Sequence, residues 1–68
     1  MAYKIIEKKY ISKTPINADN KPLITAILDT DGDLEMLGSD YCPGSVAVVA
    51  DKGAQSFMLN ASYQWKEI

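Results

Sequence analysis

The stretch DTDGDLEMLGSD sets Asp29, Asp31, Asp33 and Asp40 at positions 1, 3, 5 and 12 of a twelve-residue frame. Oxygen ligands in that spacing hold calcium in an EF-hand loop. The same loop needs glycine at position 6 for its sharp turn and a bidentate glutamate at position 12. Leu34 and Asp40 stand there instead. The flanks also differ, because LITAIL before it favours a strand and Pro43 after it stops a helix. The expectation is therefore an acidic corner. Asp31-Gly32 reverses the chain and Asp33 caps a short helical turn, LEML, that ends at Gly38. Calcium on the four aspartates is the minor alternative, and no other metal or cofactor is expected.

Catalysis has little to work with. The chain has no histidine, so the usual general base near neutral pH is missing. Cys42 precedes a proline and has no imidazole to activate it, which makes it a structural thiol rather than a nucleophile. One cysteine and no histidine exclude both an internal disulfide and a Cys/His zinc site. A glycine-rich phosphate loop is absent. The carboxylates of the acidic run could pair, but so small a domain hardly buries them deeply enough to separate their pKa values. The expectation is a protein that is not an enzyme.

Sixty-eight residues, 47% hydrophobic and 24% charged with a net charge of −2, describe one small globular domain with a thin core. Charge is unevenly placed. Residues 1–21 hold five lysines against Glu7 and Asp19, a balance of +3, whereas residues 29–40 hold acids alone. All seven cations are lysine, and without arginine's bidentate fork nucleic-acid recognition is not expected. No apolar run approaches the roughly 18 residues that span a bilayer, and MAYKIIEKKY has no signal-peptide character. Neither a membrane nor secretion is expected; a free thiol fits synthesis in a reducing cytoplasm.

The elements that would position these residues follow from pattern and punctuation. Ala2 to Ser12 is rich in β-formers and reads as an extended arm or edge strand, although the Tyr3, Ile6, Tyr10 spacing also suits a helical face. SKTPINADNKP has loop composition, and LITAIL reads as a buried strand. Cys42-Pro43-Gly44 suits a type II turn. SVAVVAD, AQSFMLN and YQWKEI then form three strands, the first two joined at Lys52-Gly53. Alternation places Val46 and Val48 on one face and Ala47 and Val49 on the other. The expected core is Val46, Val48, Phe57, Leu59 and Trp65. The fold class expected is mainly β: a C-terminal three-stranded antiparallel meander, an N-terminal arm or edge strand, and one short helical turn. Residues 1–22 form the arm and loop and 23–68 the small β domain, within a single domain overall.

Residues 29–68 resemble a pattern common among small structural proteins of tailed bacteriophages. Asp33-Leu34 leads to Pro43-Gly44-Ser45-Val46-Ala47, followed by Gly53, Phe57-Met58-Leu59 and Trp65-Lys66-Glu67-Ile68. Phe57 departs from it, standing where tyrosine is usual. The resemblance implies a non-catalytic virion component made in the bacterial host cytoplasm.

Combined with a basic arm and an acidic middle, this points to a multi-copy capsid decoration or accessory head protein that binds the major capsid protein and its own copies. Tyr3, Ile5, Ile6, Lys8, Lys9 and Tyr10 of the arm would make the contacts by adding a strand to a neighbour's sheet edge. One alternative is a tail, connector or fibre-associated virion protein. The other is a small cytoplasmic module that binds and regulates one host protein.

Overall fold

The computed structural model describes residues 3–11, 15, 17–51 and 55–68. The protein is mainly β: a five-stranded mixed sheet and one short helix. The strands are β1 (Tyr3–Lys9), β2 (Leu23–Leu28), β3 (Val46–Val49), β4 (Gln55–Leu59) and β5 (Trp65–Glu67). They lie side by side in chain order, β1-β2-β3-β4-β5. β1 runs antiparallel to β2, and β3, β4 and β5 are successive antiparallel neighbours. β2 and β3 at the centre are parallel.

A parallel pair needs a crossover to return the chain to its starting end. Residues 29–45 supply it, and within them lie a 3-10 turn, Asp31–Asp33, and helix α1, Leu34–Leu37. Gly38 ends α1 at φ 79°, ψ −171°, a conformation open in practice to glycine, while its N–H donates to the Leu34 carbonyl (3.0 Å). Further on, the Ser45 N–H donates to the Cys42 carbonyl (3.1 Å) across Pro43 and Gly44, and Gly44 has φ 101°. That is the type II turn expected there. Ser45 then fastens the start of β3 to β2. Its hydroxyl oxygen accepts from the Ile24 N–H (3.1 Å) while its hydroxyl donates to the Cys42 carbonyl (2.8 Å).

The registers divide the side chains into two faces. Tyr3, Ile5, Ile24, Ala26, Leu28, Ala47, Val49, Phe57, Leu59 and Trp65 fall on one. Ile24, Ala26, Leu28, Ala47, Val49 and Leu59 are buried there. The crossover lies over this face, where buried Leu37 and half-buried Leu34 and Tyr41 pack against the cluster. Burying each of the larger aliphatics contributes about 1.5–3 kcal/mol, so this one-sided core carries most of the stabilisation.

The expected core needs one correction. Leu59 is buried, and Phe57 and Trp65 are half-buried against the cluster, but Val46 and Val48 lie on the opposite face and Ala47 and Val49 take the interior. The crossover sits above the Ala47 side, so small Ala47 meets Ala26 in the central pair while the larger valines are left outside.

One turn also differs from expectation. The Asp33 carboxylate does not cap α1. It accepts from the Thr30 N–H (3.0 Å) and the Thr30 hydroxyl (3.2 Å), closing the 3-10 turn one step earlier. The Lys52-Gly53 hairpin lies outside the described residues, although Val49 pairs with Gln55 across it.

Candidate functional site

β1 is no free arm. Tyr3, Lys4 and Ile5 pair with Leu28, Ile27 and Ala26, and after a bulge at Ile6 the pairing resumes with Glu7, Lys8 and Lys9 opposite Thr25, Ile24 and Leu23. Tyr3 and Ile5, expected at an intermolecular contact, are half-buried against the protein's own core. Ile6, Lys8, Lys9 and Tyr10 are exposed, and the Lys8 ammonium lies 5.9 Å from the Tyr10 ring. The bulge and the lysines make the outer edge of β1 a poor template for another strand.

The acidic run is equally dispersed. Asp33 is turned onto Thr30, and Asp40 reaches away to Lys21 at 3.0 Å. Asp29 and Asp31 are exposed. Among the described residues no group of three or more metal-capable side chains converges, so the ligand set of an EF-hand loop is not assembled.

Two other surfaces draw residues together. The first is the sheet face opposite the crossover. It carries Leu23, Thr25 and Ile27 of β2, Val46 and Val48 of β3, and Ser56 and Met58 of β4. None of these residues is buried, and Ile27 and Met58 are about 40% exposed (40% and 39%). Lysines flank the apolar stripe: Lys4 and Lys9 on β1, with Glu7 between them, and Lys66 on β5 opposite Met58. Ile27 and Met58 were missed as surface residues. The alternation of LITAIL held the signal, since an uninterrupted apolar run that alternates between two faces must show one of them to something.

The second is an open groove of about 440 Å³ lined by Leu34, Glu35, Gly38, Ser39, Tyr63 and Trp65. β5 brings Trp65 to the crossover side, and its indole N–H donates to the Gly38 carbonyl (2.8 Å), fixing the ring against the end of α1. Tyr63 is held at φ 60°, unusual for a residue other than glycine or asparagine. The turn around it is heavily bonded. The Asn60 side-chain oxygen accepts from the Ser62 and Gln64 N–H groups (2.9 and 3.0 Å), and Tyr63 N–H donates to the Asn60 carbonyl (2.9 Å). Against the Tyr63 ring sits the Lys21 ammonium, 4.2 Å from its centroid.

Hydrogen bonding to Asp40 holds the Lys21 pKa above its ordinary value, against an opposing desolvation. Asp40 is 90% exposed, so this pair is screened by water and contributes little to stability. Burial pushes the Tyr41 hydroxyl up as well. No helix among the described residues is long and apolar enough to cross a membrane. The chain matches no protein-family model, no curated protein and no solved structure at a significant level.

Proposed function

We propose that this protein is a non-catalytic binding subunit, a multi-copy structural component of a phage virion, that docks through the uncovered face of its sheet. One observation carries the docking surface. Every buried strand residue lies on the crossover side, yet the other side bears Leu23, Ile27, Val46, Val48 and Met58. A small domain gains from covering such a stripe with a partner. The virion setting is supported by the sequence resemblance alone.

Charge narrows the partner. Lysines on both flanks of the stripe favour a surface with an apolar centre and an acidic rim, here assigned to the major capsid protein. Two copies stacked through this face would bring lysine edges against lysine edges, which opposes self-association by this route. The C-terminal β3–β4–β5 meander forms one half of the docking platform, and β1 is the edge strand that extends the other.

Mass spectrometry of purified particles, with a copy-number estimate, tests the setting. Stoichiometry comparable with the capsid protein supports a head component. A few copies per particle moves the protein to the tail or connector, and absence from particles overturns the virion reading in favour of a cytoplasmic module. The face is tested by Ile27→Thr combined with Met58→Thr, which removes apolar surface while keeping strand-favouring residues. Loss of incorporation with an unchanged melting temperature supports the docking surface; normal incorporation rejects it.

A further inference from the structure

We propose that the groove between α1 and the 60–65 turn receives a lysine or arginine side chain from an extended segment of a partner protein. This site lies on the crossover side of the sheet and does not depend on what covers the opposite face.

Three observations converge on a cationic occupant. Among the described residues Glu35 is the one charged residue lining the groove, and it is exposed. The one cation seen beside the groove, Lys21 on the Tyr63 ring, is already paired with Asp40, which leaves the Glu35 carboxylate unbalanced there. Tyr63 and Trp65 line the same groove. Aromatic faces beside a carboxylate are the surroundings in which an ammonium or guanidinium is attracted by ring and charge together.

The protein contains its own example of this chemistry. Lys21 lies 4.2 Å from the Tyr63 ring centroid with its ammonium 3.0 Å from an Asp40 oxygen, so the same ring and a neighbouring acid already hold one lysine. Glu35 and Trp65, both lining the groove, offer a second carboxylate and ring.

Backbone conformation gives independent support. Position 63 would be filled at less strain by asparagine or glycine, yet a tyrosine is held there at φ 60° by the bonds of the Asn60 turn. The ring is thereby stationed at the groove before any ligand arrives. Preorganisation of that kind lowers the ordering cost of binding. The shallow, open form of the groove suits one side chain rather than an enclosed small molecule.

Trp65 is the only tryptophan, so its fluorescence reports directly on the site. The full chain is titrated with a capped peptide whose only charge is a single lysine, and with the same peptide carrying norleucine, which keeps the alkyl stem without the charge. The lysine peptide is expected to bind about tenfold more tightly and to weaken as salt rises. Glu35→Gln should remove most of that preference. Tyr63→Asn should remove binding while the melting temperature holds or rises, and Tyr63→Phe should retain it. Equal binding of the two peptides, or unchanged lysine preference in both Glu35→Gln and Tyr63→Asn, would overturn the proposal. So would a fluorescence change traced by sedimentation to self-association of the chain rather than to bound peptide.

Discussion

Single side chains here do the work of missing secondary structure. Ser45 is fully buried and joins β2 to the Cys42 turn through one hydroxyl. Ser45→Ala leaves the Ile24 N–H short of its hydroxyl acceptor in a water-free place, while the Cys42 carbonyl keeps the backbone N–H of residue 45, and should lower stability by about 1–3 kcal/mol in urea unfolding. A loss below about 0.5 kcal/mol would show that the Ile24 N–H finds another partner. Tyr41 titration contributes to the alkaline limb of stability, and the screened Lys21 pair adds little to it. Both pKa values are raised in the folded state, Lys21 by its Asp40 hydrogen bond and Tyr41 by burial. A raised folded pKa contributes stability that is complete below the unfolded value and lost as pH climbs through the folded one. Stability should therefore be level from neutrality to about pH 10 and fall above it. Tyr41→Phe should make that fall shallower, while lowering the neutral plateau by about 1 kcal/mol for the lost hydroxyl bond to the Leu37 carbonyl. An equally steep alkaline fall in Tyr41→Phe would remove Tyr41 from the account.

Elements with strong local punctuation were the ones legible in the sequence. LITAIL between Pro22 and the acids, the Cys42-Pro43-Gly44 turn, and the short helical turn before Gly38 all stand where residue types put them. The β3, β4 and β5 segments were likewise placed within a residue or two of their ends. What could not be read was the side of the sheet the crossover covers. That choice decides whether Val46 and Val48 or Ala47 and Val49 become core, and alternation supports both answers equally. The parallel β2–β3 pairing was also silent, because parallel and antiparallel neighbours leave the same apolar runs. The groove was hidden for a further reason: Tyr63 enters it through a left-handed backbone that no tyrosine advertises. Gly38 offers the sharpest test at this scale. A Cβ added there meets nothing within 4 Å, so Gly38→Ala isolates the backbone cost of φ 79°. It should destabilise by about 1–3 kcal/mol with little change elsewhere, and spectra showing an intact Trp65 environment with no stability loss would contradict the geometry.

Across the whole molecule, the sheet separates two chemistries. Its crossover side is acidic and aromatic, and its open side is apolar with lysine flanks. The N-terminal segment belongs to this body rather than projecting from it, which changes the outcome of truncation. Removal of residues 2–11 deletes an edge strand together with Tyr3 and Ile5, which pack on the core. The truncated protein should lose its cooperative thermal transition instead of remaining folded and merely failing to bind. A cooperative transition retained in the truncated chain would mean that the remaining four strands suffice as a domain.

The parallel seam between β2 and β3 has a kinetic side. β1 with β2, and β3 with β4 and β5, are antiparallel units that neighbouring stretches of chain can assemble; among the described residues the seam of residues 25–28 with 46–49 is the strand pairing that joins them. Closing it requires the intervening loop to be drawn in before its contacts reward the lost freedom. Docking of these two parts should then limit the rate of reaching the native state, and substitutions at the seam should slow folding more than substitutions in β5.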